Sequence, residues 1–275
     1  MGNPVVHFEL AAQDNELLAA FYGELFGWRL RGVASGGYTM IDTCAGHGIN
    51  GGIARSPIGE PWSTFYVEVE DPCKTLDKAS SLGGTTAFPV TDIGGATVAM
   101  FKDPDGLPVG LVRAPADAAG ASGASGGFGG FGPSGGFGSE PSQGSGEMLD
   151  WFEVIGSDAA RTRHFYTELF DWTLDDAGFA DYAVVDTGTE RGVQGGIGRV
   201  QETRWTTTYA WVSDLDQAFT RVEKLGGSRV LDPEVPELKD RARLARFGVV
   251  DTMRTGAFRD PAGNVFGLFE FNAPG

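Results

Sequence analysis

The sequence predicts an α+β protein of two tandem domains, each built from two β-α-β-β-β modules curling around a cavity. Three observations predict it: short alternating strands set around short amphipathic helices, the return of that whole pattern later in the chain, and a tether between the two occurrences. "HFELAAQDNELLAAFYGELFGW" (7–28) returns as "WFEVIGSDAARTRHFYTELFDW" (151–172), "YTMIDT" at 38 as "YAVVDT" at 182, and "NGGIAR" at 50 as "QGGIGR" at 194. "DPDGLPVGL" (103–111) returns as "DPAGNVFGL" (260–268), displaced further because the second copy gains residues near 233–253. A repeat of this length marks each copy as a domain, not a solenoid turn. The domains are therefore 1–115 and 147–275.

Between them lies "ADAAGASGASGGFGGFGPSGGFGSEPSQGSG" (116–146). Its Gly, Ala and Ser offer little to bury, so it reads as a flexible linker with a reach of about 30 Å. Phe128, Phe131 and Phe137 are its only large apolar side chains.

Within the first copy "PVVHFEL" alternates as a strand. Asp14 suits a helix N-cap, and Leu17, Leu18, Phe21, Tyr22, Leu25 and Phe26 form one apolar face ending at Gly27. "WRLRGV", "YTMIDT" and "INGGIAR" follow as three strands parted by Gly-rich turns. The second module repeats the plan: "WSTFYVEVE" is a strand, "DPCKTLDKASSLGG" a helix closed by glycine, and "TVAMFKDPDGLPVGLVR" a hairpin turning at "DPDG".

Composition narrows the function. With 41% hydrophobic and 11% aromatic residues, 275 residues can fill real cores. Asp and Glu number 37 against 21 Lys and Arg, a formal charge of -16, so the average field repels nucleic acid and anionic membranes. No basic leader with an apolar stretch opens the chain and no 18-residue apolar run occurs, which predicts a cytoplasmic protein. Cys44 and Cys73 lack any metal-ligand spacing and read as thiols. No phosphate loop or nucleophile elbow is present.

An opening strand with a histidine, then Asp14, "FY", a "GGI" strand and a closing "DPDG" hairpin, a spacing found twice with Trp151 in the histidine's place and "DPAG" at the second turn, resemble the glyoxalase/bleomycin-resistance/extradiol dioxygenase superfamily, also called vicinal oxygen chelate proteins. The resemblance covers both copies. It implies paired modules enclosing a cavity, and a tandem chain similar to a dimer fused into one, a pseudo-dimer. It also implies either a metal-dependent lyase or dioxygenase, or a metal-free protein that binds a small organic molecule.

In metal-dependent relatives four strands each give one ligand, and the resemblance places those positions at His7, the Asn50 strand, Phe65 and Gly110, and in the second copy at Trp151, the Gln194 strand, Thr208 and Gly267. One imidazole cannot replace a divalent ion's water shell, so no metal and no cofactor are expected. His7 then reads as a wall of the cavity or a core histidine. Glu9 shares the inward face of its strand with His7, and Glu153 with Trp151. A buried carboxyl there has two readings: an acid/base catalyst with raised pKa, with His7 as its companion, or a structural group satisfying amides or Arg55 and Arg199. Trp62 and Trp205 open equivalent strands and, with Phe65, suit stacking against a flat ligand, Asn50, Trp151, Gln194 and Thr208 joining the wall. Arg243 and Arg246, in the insertion of an otherwise acidic chain, are candidates to meet a ligand carboxylate or phenolate from a lid. The expected function is metal-independent binding of a small aromatic or polycyclic metabolite, in antibiotic resistance by sequestration or in natural-product tailoring. The alternative is an isomerase or cyclase using Glu9, Glu153 or His7.

Overall fold

A computed structural model describes residues 2–33, 37–56, 59–93, 95–114, 147–176, 181–200, 203–234 and 253–271. The first copy runs β1 (Val5–Ala12), α1 (Asn15–Phe26), β2 (Arg29–Gly32), β3 (Tyr38–Asp42), β4 (Asn50–Arg55), then β5 (Trp62–Val69), α2 (Pro72–Ser81), β6 (Thr85–Ile93), β7 (Ala96–Lys102) and β8 (Pro108–Arg113). The second runs β9 (Leu149–Ile155), α3 (Ala159–Phe170), β10 (Thr173–Asp175), β11 (Tyr182–Asp186), β12 (Gln194–Gly198), then β13 (Trp205–Trp211), α4 (Leu215–Lys224), β14 (Ser228–Glu234), β15 (Met253–Arg259) and β16 (Val265–Phe271). Each copy is thus two β-α-β-β-β modules, as the repeat predicts. The linker 116–146 and most of the insertion lie outside the described residues.

The two modules of a copy join into one eight-stranded sheet, ordered β2-β3-β4-β1-β5-β8-β7-β6 in the first and β10-β11-β12-β9-β13-β16-β15-β14 in the second. The join is the antiparallel pairing of β1 with β5 and of β9 with β13. Helix starts follow from their caps: the Asp14 carboxylate accepts from Leu17 N and Asp158 from Arg161 N. Gly27 ends α1 in the left-handed region at φ 68°, where glycine meets no Cβ penalty, while Asp171 takes that conformation at the end of α3.

Alternation along the central strands sends one set of side chains into a core that both copies share. Phe8 packs on Phe266, and Phe65 on Phe152 with ring centroids 4.7 Å apart. A pseudo-two-fold relation governs the contacts. The Tyr22 hydroxyl donates to Asp260 of the other copy's closing hairpin at 3.1 Å, and Tyr166 donates to Asp103 at 3.2 Å. The Trp28 indole donates to the Glu147 carbonyl and Trp172 to that of Asn3. Strand-edge amides also exchange, Ile49 to Leu149 and Val193 to Val5. The same Asp that anchors each turn through backbone amides, Leu107 N and Asp105 N for Asp103, therefore also clasps the neighbouring copy's first helix.

Candidate functional site

The other face of each sheet carries the polar residues of the central strands. Asn50, His7, Tyr66 and Gly110 lie side by side across β4, β1, β5 and β8. Gln194, Trp151, Tyr209 and Gly267 do so across β12, β9, β13 and β16. One step along the same face stand Glu9 and Glu153, both buried.

Glu9 is held by tyrosines. The Tyr66 hydroxyl lies 3.2 Å from both carboxyl oxygens, Tyr38 also bonds to Glu9, and His7 Nε2 is 2.9 Å from the Tyr38 oxygen. Burial pushes the Glu9 carboxyl up to about 8, the two hydroxyls opposing this, so the group is mainly protonated at neutral pH. The second copy repeats the device with a third donor. Tyr182 donates to Glu153 Oε1 at 3.0 Å, and Tyr209 and the Trp205 indole N–H donate to Oε2 at 2.8 and 2.9 Å. Burial again raises the carboxyl, against these three donors.

Glycines make room for those rings. A Cβ on Gly52 would lie 2.0 Å from the Tyr38 hydroxyl and one on Gly196 1.8 Å from that of Tyr182. On Gly110 and Gly267 it would lie 2.4 and 2.2 Å from the rings of Tyr66 and Tyr209. The "GGI" strands and the closing hairpins thus seat tyrosines.

That arrangement answers whether a divalent ion suits the site. Of the four in-register positions in the first copy, His7 is the one ordinary metal ligand, and Gly110 is covered by a phenol ring. Asn50 Oδ1 accepts from Thr43 N and Oγ1, so it braces its own loop, and Gln194 likewise accepts from Thr187 N and donates to the Thr189 carbonyl. The residues present do not fit a three- or four-donor centre. Among the described residues no group of three or more His, Cys, Asp and Glu converges for metal.

Several expected wall residues lie elsewhere. Antiparallel partners share a face, and Phe65 pairs with Phe8 while Thr208 pairs with Phe152, so both belong to the shared core. Tyr66 and Tyr209, their immediate neighbours, take the places the motif count assigns to Phe65 and Thr208. Trp62 and Trp205 stand on the Glu face; Trp205 reaches Glu153, Trp62 is half-buried. Trp151 bonds to Tyr182, as His7 does to Tyr38. Arg243 and Arg246 lie outside the described residues. The tyrosines escape a search for ligands and bases because a phenol is an uncommon choice for either and a strand tyrosine reads as core; their signal is that Tyr38 and Tyr66 recur as Tyr182 and Tyr209.

Residues 5–111 match the family model "Glyoxalase/Bleomycin resistance protein/Dioxygenase superfamily". The matched residues span the first copy, and the chain as a whole has the tandem α+β fold of the solved structures that it superposes on. CFP32 of Mycobacterium tuberculosis, a glyoxylase by name, is 24% identical over 95% of this chain and 92% of its own length. The 2,3-dioxygenase LapB from Pseudomonas sp. KL28 superposes with TM-score 0.61 at 15% identity, covering 99% of this chain and 94% of that one. The Mn(II)-bound glyoxalase from Novosphingobium aromaticivorans does so with TM-score 0.61 at 13% identity, over 98% and 82%. At these identities the structures share the fold. No helix among the described residues is long and apolar enough to cross a membrane.

Proposed function

We propose that this protein binds a small aromatic or polycyclic metabolite without a metal, on a sheet face where a buried glutamate and tyrosines stand in place of metal donors. Sequestration of an antibiotic and a tailoring step in natural-product synthesis are the roles such binding serves. The observation that carries the reading is the tyrosine ring over Gly110 and Gly267, built twice, where metal-dependent relatives are expected to place a carboxylate. Protonated Glu9 and the phenols offer hydrogen bonds, and Trp62 offers a ring for stacking.

Protein purified without chelator is expected to hold less than about 0.2 equivalents of Zn, Mn, Fe or Ni, and planar polycyclic phenols are expected to quench tryptophan fluorescence and raise the melting temperature. Stoichiometric metal lost on His7→Ala, or no thermal shift across such compounds, overturns the proposal.

A second reading, a metal-independent isomerase or cyclase, draws on Glu9 itself. A carboxyl titrating at about 8 and joined through Tyr38 to His7 can give or take a proton near neutral pH. For a bound compound that turns over, Glu9→Gln is expected to lower kcat roughly 10²-fold while binding survives.

A further inference from the structure

The two glutamate faces differ in one place that bears on the ligand. In the second copy the flat Trp205 indole lies at the carboxyl with its ring N–H on Glu153 Oε2, and Trp205 and Tyr209 are only 5% and 6% exposed. In the first copy Trp62 makes no such bond to Glu9, whose side-chain partners are Tyr66 and Tyr38, and both Trp62 and Tyr66 are half-buried. Trp62 stands opposite Ala11, a small residue, whereas Trp205 stands opposite Ile155. Proton traffic differs too. The Trp151 indole bonded to Tyr182 is donor-only, which commits the Tyr182 proton to Glu153; His7 in the same place accepts or donates, so the chain His7–Tyr38–Glu9 can run either way.

Resting on the binding reading above, we infer that the first copy alone takes the ligand, and that the ligand is a flat aromatic molecule presenting a ring N–H or phenolic O–H to Glu9 beside Trp62. The second copy fills the corresponding place with its own Trp205, and so displays the geometry that the ligand adopts in the first. The donor takes the part that the Trp205 N–H plays toward Glu153 in the second copy, an added bond to a carboxyl that the tyrosines already hold, so an aromatic of the same size lacking the donor binds more weakly.

The test uses the full chain carrying 5-fluorotryptophan, its fluorine resonances for Trp62 and Trp205 assigned with Trp62→Phe and Trp205→Phe. Indole and 2-naphthol are titrated against 1-methylindole and naphthalene. One equivalent of indole or 2-naphthol per chain is expected, moving the Trp62 signal and leaving that of Trp205, with at least tenfold weaker binding of the two probes that lack a donor. Glu9→Met, which removes the acceptor at similar volume, is expected to abolish that discrimination, and Trp205→Gly to open a second indole site. Should Trp205→Gly fail to fold, the labelled wild-type chain still decides. Two equivalents in the wild-type chain, a moving Trp205 signal, or equal affinity for indole and 1-methylindole overturns this inference and leaves the binding reading standing. Silence of both signals with all four probes overturns both.

Discussion

Glu9 makes stability depend on pH in a direction that can be worked out. Its carboxyl ionises near the ordinary 4.5 in the unfolded chain and is pushed up to about 8 by burial in the folded one. Between those values the folded state keeps a proton that the unfolded state has released, so stability falls as pH rises, by up to about 1.4 kcal/mol per unit. Glu9→Gln removes the titration; its melting temperature is expected to gain on wild type steadily from pH 5 to pH 8, and a constant difference across that range would contradict the raised value. The glycines beneath the tyrosines give a second expectation. Gly110→Ala and Gly267→Ala force a ring aside and are expected to cost about 1–3 kcal/mol each in urea titrations. Gly32→Ala, with nothing within 4 Å of the new carbon, is the control and should shift little. Of this site the sequence made the two glutamates legible, since strand alternation and the repeat both point at them. It hid the phenols that hold them, because a tyrosine in a strand reads equally as core.

Helices α1 and α3 show what a repeat reveals and conceals about an element. Their apolar faces and Asp caps are plain in the letters, and so are the DPxG turns. What the letters do not carry is that the tyrosine of each "FY" pair answers the turn of the opposite copy, since pairing across copies has no signature in local spacing. Tyr22→Phe and Tyr166→Phe strip a donor from a buried carboxyl, and burial already pushes that of Asp103 up to about 6. Each is expected to cost roughly 1–3 kcal/mol by chemical denaturation, and a loss below about 0.5 kcal/mol would show these bonds to be dispensable. Strand β6 was the element hardest to read. Thr85–Ile93 is a largely exposed edge strand carrying Pro89, and neither alternation nor continuous apolarity marks it.

At the scale of the whole molecule, one core serves two copies. Phe65 of one sheet meets Phe152 of the other, and Phe8 meets Phe266, so neither copy closes its apolar face alone. Residues 1–114 expressed by themselves are expected to sediment as a homodimer, using the pseudo-two-fold surface on itself, or to stay unfolded; a stable folded monomer would contradict the shared core.

The same pseudo-symmetry governs where the two halves are able to diverge after duplication. Tyr22 and Tyr166, Trp28 and Trp172, Asp103 and Asp260 are identical pairs, each gripping the opposite half, so a change in either member breaks a bond its counterpart's half depends on. The sheet faces turned away from that seam are tied across it at Glu68, which Arg191 of the other half grips, while His7 and Glu9 bond within their own half. There Trp151 stands where the first half has His7 and the aspect of Trp62 differs from that of Trp205, so the halves differ most around the two glutamates, where a difference in specificity does not loosen the pair.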